Sequence, residues 1–314
     1  MKKFIILSLA ALLAVSVSCK KNDLFTITTI DVTWVGKNDV TMHGSYSVGK
    51  DLIVEEYGFV VNGHFGDGEK EVTVASESGS NGFYVSLFNL LPGKKYSYTA
   101  YAVVDGKFQY GEKKYFWTFT EEGYKKTAVD FGTGVVWAVS NVGAASPEIY
   151  GDYFAWGDPE PKVDYTKEAY NGPGAIALTD ETDPCTIKLG GFWRTPTFDE
   201  YKALIEATTR MWTKENGVNG LRLTGKEDFD KKIFFPAAGT YYPQPDGLMG
   251  KGVSCEYASS SLKEDGGTNP VWGMKYDSST GSVLNMMLFQ LHWGLSYRAV
   301  MDTEKYKAWQ YEII

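Results

Sequence analysis

Two clusters of acidic residues are the first places in this sequence where chemistry could occur. Residues 179–184 read TDETDP, and residues 226–232 read KEDFDKK. Paired carboxylates hydrolyse glycosidic bonds only when a fold holds them at a fixed separation inside a cleft. The first cluster could also offer oxygen ligands to calcium, although it lacks the regular alternation of a calcium-binding loop. We therefore predict that both clusters are solvated surface loops.

The cysteines and histidines lack the spacing of a reactive or metal-binding set. Cys185 and Cys255 are 70 positions apart, and His43, His64 and His292 are widely separated. A structural zinc site needs four closely grouped ligands. The two cysteines could form one disulfide or remain free thiols, and the sequence leaves both alternatives open. The chain also has no Gly-x-Ser-x-Gly elbow and no phosphate-binding loop. We predict a protein without catalytic residues, bound metal or cofactor.

Residues 239–252, GTYYPQPDGLMGKG, are best suited to contact a ligand. Tyr241 and Tyr242 have amphipathic rings that suit glycan or protein surfaces. Gln244, Pro245 and Asp246 resemble the tripeptide with which galactose-type C-type lectins hold calcium and sugar. Those lectins also use a later Trp-Asn-Asp strand, where this sequence offers only NPVWGM. The alternatives are a calcium-dependent sugar site and a plain turn, and we predict a ligand-facing loop.

The N-terminus predicts export and lipidation. Lys2 and Lys3 precede an apolar run, residues 4–15, which leads into Ser-Val-Ser and Cys19. This pattern describes a secretory signal, because the run is too short to cross about 30 Å of hydrocarbon as a stable helix. A cysteine after small residues resembles the bacterial lipoprotein signal. That resemblance implies a signal peptide over 1–18, a lipidated Cys19 and a tether over 19–23; an ordinary signal peptide is the alternative.

Composition limits the partners and the number of domains. The net charge of -8 and the pI of about 5.1 argue against a nucleic-acid partner. No later apolar run could span a bilayer, so membrane attachment is predicted through the lipid anchor only. The remaining chain of about 295 residues is long enough for two packed domains.

Residues 24–120 alternate with period two in seven strand-length segments separated by polar or glycine-bearing turns. This pattern predicts an antiparallel sandwich. In LPGKKYSYTAY, Tyr96 follows a Leu-Pro-Gly turn, so its hydroxyl can reach back to the backbone as in a tyrosine corner. The segment resembles a fibronectin type III module of the kind found in Bacteroidetes surface lipoproteins. We interpret it as a spacer, followed by a linker over 121–127.

The stretch GGFWRTPTFDEYKALI, residues 190–205, predicts a capped helix amid strands. Thr197 and Glu200 have the spacing of a capping box, and the apolar residues fall on one face. Trp193 and Arg194 precede the helix and are expected to clamp the turn by stacking or by a salt bridge. Every feature has a structural reason, so we interpret the stretch as organising a core.

The same stretch resembles a signature of the Fibrobacter succinogenes major paralogous domain, and more distantly of the formylglycine-generating enzymes. The first resemblance extends over most of 128–303, including VDFGTGVVWAVSNVG, IFFPAAGTYY and GLSYRAV in the family's order. It implies a C-type-lectin-like α+β fold closed by pairing of VVWAVSNVG with LSYRAVMD. The oxidase chemistry of the second group uses a close cysteine pair, which this sequence lacks.

Further expectations concern the packing of this domain. Trp137, Trp156, Trp193 and Tyr153 are predicted core aromatics. KKIFFPAAG and SVLNMMLFQLHW are apolar enough to be central strands. Residues 304–314 are predicted to form a tail.

The order of anchor, spacer and terminal domain predicts a non-catalytic lipoprotein of the outer membrane or cell surface. It would be an adhesin, or bind an extracellular glycan or protein through Tyr241, Tyr242, Gln244 and Asp246, with calcium as an open alternative. A structural subunit of a pilus tip or of a polysaccharide-uptake complex is the second hypothesis. A glycan-processing enzyme is the third.

Overall fold

The computed structural model describes residues 25–50, 52–76, 82–243, 247–264, 270–280 and 284–311. The predicted lipidation site, Cys19, and the loop residues Gln244 and Asp246 lie outside the described residues. The chain is mainly β and divides into two compact units, Met1–Phe119 and Thr120–Ile314. In the part of the chain that the structure describes, no helix is long and apolar enough to cross a membrane.

Within the described residues of the first unit, eight strands form two antiparallel sheets. They are β1 (Thr26–Val35), β2 (Asp39–Ser47), β3 (Val54–Phe65), β4 (Gly68–Ala75), β5 (Gly82–Phe88), β6 (Lys95–Val104), β7 (Lys107–Tyr110) and β8 (Lys114–Trp117). One sheet has the order β1-β2-β5 and the other β4-β3-β6-β7, with β8 also paired to β6. Inward-facing residues of both sheets form the core; the Phe59 and Phe83 rings, for example, lie 5.3 Å apart. The predicted Ig-like, fibronectin type III-like sandwich is confirmed.

Two local features of this unit can be compared with the sequence. The Tyr96 hydroxyl accepts a hydrogen bond from the Leu91 amide at 2.9 Å and donates one to the His64 carbonyl at 2.8 Å, as a tyrosine corner requires. The sequence pattern missed β7. This strand follows a tight turn in which Asp105 and Gly106 have φ angles of 47° and 71°, the positive values of a hairpin turn.

The second unit contains four α-helices, one 3-10 helix and thirteen strands among the described residues. The helices are α1 (Glu121–Lys125), α2 (Pro184–Leu189), α3 (Phe198–Ala207) and α4 (Thr303–Tyr311), with the 3-10 helix at Ser278–Thr280. The strands are β9 (Ala128–Asp130), β10 (Val135–Ala138), β11 (Tyr153–Phe154), β12 (Thr208–Glu215), β13 (Val218–Gly225), β14 (Lys232–Pro236), β15 (Thr240–Tyr241), β16 (Leu248–Met249), β17 (Ser254–Leu262), β18 (Val271–Asp277), β19 (Asn285–Phe289), β20 (Leu295–Ser296) and β21 (Val300–Asp302).

These strands form four sheets around one core. The orders are β21-β10-β9, β11-β20-β17-β18-β19, β12-β13-β14 and β15-β16. The core joins the inner faces of the five-stranded sheet and of β12-β13-β14 to helix α3. Its buried side chains include Tyr201, Leu221, Phe235, Tyr257 and Met274. The predicted core positions of Trp137, Trp156 and Trp193 are confirmed at 0%, 2% and 1% exposure, whereas Tyr153 is half-buried.

The predicted capped helix is confirmed as α3. Thr197 accepts the Glu200 amide, and the Glu200 carboxylate accepts the Thr197 amide at 2.8 Å. Arg194 clamps the turn through both terminal nitrogens, which donate to Glu200 at 2.9 and 2.6 Å. Trp193 is held by its indole N–H, which donates to the Gly123 carbonyl at 3.0 Å.

Strand placement was partly predictable. β10 and β21 pair antiparallel, Val135 opposite Asp302, so the expected closure of the domain's two ends is confirmed. The prediction of two central strands is wrong, because β14 and β19 come last in the strand orders of their sheets. β14 is apolar for another reason, since both of its faces are covered. Phe235 points into the core, while Phe234 on the opposite face lies over Gly220 and is 3% exposed.

Helices α1 and α4 fall within the predicted linker (121–127) and tail (304–314), and both pack in the second unit. A Cβ atom on Gly123 of α1 would lie 1.8 Å from the Leu189 carbonyl oxygen, so this helix approaches the end of α2 very closely. Lys126, just after α1, is 5% exposed. In α4, Tyr306 and Trp309 are buried, and the Trp309 ring meets Tyr124 edge-on at 5.8 Å.

Candidate functional site

The two ends of the predicted ligand-facing loop pair with each other as the short strands β15 and β16. Thr240 pairs with Met249 and Tyr241 with Leu248, and the Tyr242 amide donates to the Gly247 carbonyl at 2.9 Å. The predicted residues Gln244 and Asp246 lie outside the described residues. The structure therefore positions the two ends of the loop.

Tyr241 anchors the hairpin. Its ring lies edge-on to Tyr153 at 4.9 Å and stacks on Tyr165 at 5.3 Å. Its backbone exchanges two hydrogen bonds with Gly294, at 2.9 and 3.0 Å. Gly294 is required there, because a Cβ atom would lie 2.6 Å from the Tyr165 ring. The structure thus gives Tyr241 a packing role beside the ligand-contact role predicted for it.

Tyr242 forms a second set of aromatic contacts, separate from those of Tyr241. Its ring meets Trp293 at 4.5 Å and 62°, and Trp293 meets Phe289 at 6.4 Å. Tyr242 and Trp293 are both half-buried, so each retains ring surface that a ligand can cover. Burial, and then the charge of Glu256, raise the pKa of the Tyr242 phenol, which therefore stays protonated and able to donate.

An ion pair lies beside these rings. Glu256 on β17 and Lys275 on β18 face each other in the strand register, and their charged atoms are 2.6 Å apart. The other Glu256 oxygen accepts the Thr240 hydroxyl. Burial disfavours the Lys275 ammonium, but the Glu256 carboxylate outweighs this and raises its pKa above the ordinary value. We refer to Tyr242, Glu256, Lys275, Phe289 and Trp293 as the sheet-face site.

The sheet-face site lies on one face of the five-stranded sheet. Glu256 and Lys275 point away from the core, which takes their neighbours Tyr257 and Met274. Gly273 lies two positions from Lys275, and a Cβ atom there would meet the Phe289 ring at 2.8 Å. The missing side chain allows the Phe289 ring to approach the sheet at Gly273, and Trp293 meets that ring edge-on.

Sequence reasoning found Tyr242 and missed the other four members of this site. Glu256 lies in SCEYASSSL, where alternation places it opposite the core residues Cys255 and Tyr257. A buried acid at an alternating strand position could have suggested a cationic partner. Choosing Lys275 required the strand register, which the sequence does not contain.

The two acidic clusters differ in solvent exposure. Glu227, Asp228 and Asp230 are exposed, as predicted. The prediction fails for Asp183, which is 6% exposed and caps α2 by accepting the Cys185 amide at 2.8 Å. It also accepts the Thr195 hydroxyl at 2.6 Å, so its role is to join α2 to the turn before α3.

The two cysteines of the second unit are buried and free, so the disulfide alternative is not realised. Burial raises the pKa of both thiols well above their ordinary value. Within the described ranges, no group of three or more His, Cys, Asp or Glu side chains is placed to hold a metal ion.

Comparison with known proteins gives few similarities. No protein-family model matches the chain, and no curated protein matches it. Among solved structures, the fourth fibronectin type III domain of a human protein is 18% identical, covering 29% of this chain and 76% of that domain with a TM-score of 0.23. A fibronectin type III domain from human KIAA0970 is 17% identical, covering 30% and 74% with a TM-score of 0.24.

A third similar structure is the sensor domain of the anti-sigma factor RsgI4 of Pseudobacteroides cellulosolvens. It is 10% identical, covering 31% of this chain and 95% of that domain with a TM-score of 0.23. The sandwich assignment of the first unit rests on its own strand order and tyrosine corner.

Proposed function

We propose that this chain is a non-catalytic, lipid-anchored lipoprotein of the outer membrane or cell surface that binds an extracellular glycan or protein. In this proposal Cys19 carries the lipid, the first unit is a spacer, and the second unit bears the binding surface. The resemblance to the Fibrobacter succinogenes major paralogous domain, with its C-type-lectin-like fold, supports this organisation through several motifs in the same order.

The observation that carries the proposal is the pair of half-buried rings, Tyr242 and Trp293, beside the Glu256–Lys275 ion pair. Aromatic rings that keep exposed surface contribute contact area with little loss of conformational entropy. The Tyr242 hydroxyl and the Lys275 ammonium supply donors at the edge of this surface, and Lys275 is a quarter exposed. Such a surface suits the ring faces and hydroxyl groups of a sugar.

A glycan array probed with soluble protein, residues 20–314, tests this proposal. We expect retention on a defined group of glycans and a loss of about tenfold or more in affinity for Trp293→Ala and Tyr242→Ala. Tyr84→Ala is the matched control, because Tyr84 is 54% exposed in the first unit. Retention that is indifferent to all three substitutions would refute the sheet-face site.

The contribution of calcium is tested in the same experiment. If the Gln-Pro-Asp turn holds calcium, chelation and Asp246→Ala should abolish glycan retention together. If retention survives both treatments, glycan binding does not depend on calcium held by these residues.

Lipidation and assembly need the native envelope. Cys19→Ala should release the protein from the membrane fraction and remove a metabolically incorporated fatty acid. Recovery of the wild-type lipoprotein in a stoichiometric protein complex, without glycan binding, would favour a structural subunit over an adhesin. Glycan turnover by the wild-type protein that Trp293→Ala or Tyr242→Ala abolishes would overturn the non-catalytic proposal.

A further inference from the structure

A separate cavity of about 480 Å³ lies on the outer face of the sheet β12-β13-β14. Its lining includes Arg222, Lys232 and Phe234, with Val139 and Pro147; we call these five residues the Arg222 cleft. Arg222 faces Phe234 across the strand pair, and Lys232 lies two positions before Phe234. The three side chains therefore leave the sheet on the same face. The volume is within the range of small-ligand sites, roughly 300–1,000 Å³.

The cleft combines an apolar surface with positive charge. Phe234 packs against Gly220, where a Cβ atom would be 2.4 Å from the tip of its ring, and is 3% exposed. The accessible apolar surface therefore comes from Val139 and Pro147, which are half-buried. Arg222 donates from Nε to Glu215 at 2.8 Å. This bond uses one of the five N–H donors of a guanidinium group. Lys232 is exposed.

The charges in the cleft do not cancel. Its lining carries two cations, Arg222 and Lys232, and one anion, Glu215. Glu148, which follows Pro147, is not part of this lining, and its carboxylate accepts the Asn216 side chain at 3.1 Å. In a chain of net charge -8, a locally positive cavity favours an anionic group. The flat, forked guanidinium matches a carboxylate in particular.

We propose that the Arg222 cleft binds a carboxylate-bearing sugar, such as a uronic acid residue of an acidic glycan. The carboxylate contacts Arg222 and Lys232, and the C–H face of the sugar ring lies against the half-buried Val139 and Pro147. This site is additional to the sheet-face site and does not share its residues.

A neighbouring cavity gives room for the next sugar. It also measures about 480 Å³, and its lining shares Val139 and Pro147 with the cleft. Its charged residues are already paired, Lys125 with Glu121 and Lys126 with Glu122, each at 2.7 Å. Because the charges lining this cavity are already paired with each other, it suits a neutral sugar next to the acidic one.

Calorimetric titration of residues 20–314 with D-glucuronate, and with D-glucose as the neutral analogue, tests the proposal. We expect saturable binding of glucuronate that weakens with salt, and no measurable binding of glucose. Arg222→Gln and Lys232→Gln should each lower the affinity about tenfold. Glu215→Gln should raise it, because it removes the anion that competes for Arg222.

The control is Lys214→Gln, an exposed cation on the other face of β12, which should leave the affinity unchanged. If Arg222→Gln fails to fold, the exposed Lys232 and the half-buried Glu215 still provide variants with opposite expected effects on the affinity. Equal binding of glucose, inorganic phosphate competing as well as glucuronate, or affinities unchanged by Lys232→Gln and Glu215→Gln would overturn the proposal. Glucuronate binding should persist in Trp293→Ala, so its loss there would place the ligand at the sheet-face site instead.

Discussion

Arg298 shows how much one residue can hold together. Its guanidinium is completely buried and donates to the carbonyls of Ala138, Val139 and Phe234 at 3.0, 2.7 and 2.9 Å. It also donates to the Asn141 side chain at 2.9 Å and lies 4.5 Å above the Phe235 ring. Burial lowers the pKa of Arg298 from its ordinary value. The residue therefore ties β14 to the segment after β10.

Replacing Arg298 with methionine should destabilise the second unit strongly. The change removes the Arg298 donor from three buried acceptors and from the half-buried Val139 carbonyl, and each buried loss costs about 1–3 kcal/mol. We expect a loss of about 3 kcal/mol or more in the free energy of unfolding, measured by urea titration. Arg210→Met, at an exposed arginine of β12, is the matched control and should change little. Similar losses in both variants would contradict the role given to Arg298.

The two buried thiols should be inert in the native protein. Because burial raises the pKa of Cys185 and Cys255, little reactive thiolate forms at neutral pH. In residues 20–314 we expect negligible labelling by a thiol reagent before unfolding and labelling of both cysteines in denaturant. Rapid native labelling, or fewer than two thiols in denaturant, would contradict the structure.

Helix α3 was predictable from local sequence, whereas several other elements were not. Its cap, its apolar face and the proline before it lie within residues 190–205, so no distant contact is needed to recognise it. β14 and β19 were wrongly predicted to be central strands. An apolar strand indicates burial, but its sequence does not say whether neighbouring strands or other elements cover it. Helices α1 and α4 were missed because Gly123, Tyr306 and Trp309 find their partners far away in the sequence. The Glu256–Lys275 pair could not be predicted either, because it depends on the register between β17 and β18.

The Arg194–Glu200 clamp makes helix α3 sensitive to acid. Burial alone would raise the pKa of Glu200, but Arg194 and the Thr197 amide hold it below its ordinary value of 4.5. A lowered folded-state pKa means that the stabilisation is complete above pH 4.5 and is lost as the pH falls through the lower folded value.

We therefore expect Glu200→Gln to be less stable than wild type at neutral pH and to lose less stability on acidification below pH 4.5. Thermal unfolding followed from pH 7 to pH 3 measures this difference. Glu206→Gln, an exposed acid at the end of the same helix, should track the wild type. Parallel pH profiles for Glu200→Gln and wild type would show that the clamp does not contribute.

Each of the two units has its own core. We therefore expect that a substitution in one core can destabilise that unit without destabilising the other. Tyr96→Phe removes the hydroxyl that joins Leu91 and His64 in the first unit, and should cost it about 1–2 kcal/mol. Arg298→Met should affect the second unit alone. Amide hydrogen exchange resolved by segment measures both changes, and each variant is the control for the other. Loss of protection in both units from either substitution would show that they unfold together.

The close approach of Gly123 to Leu189 decides where the chain can be divided for expression. A fragment starting at Ala128, the start suggested by sequence motifs, would remove the acceptor of the Trp193 indole and the ammonium group that binds the Asn141 carbonyl. A fragment starting at Thr120 keeps both, together with the threonine that caps α1. Residues 121–127, which the sequence suggests are a dispensable linker, should therefore be kept in the fragment. We expect the fragment that includes them to be soluble and the fragment that lacks them to aggregate.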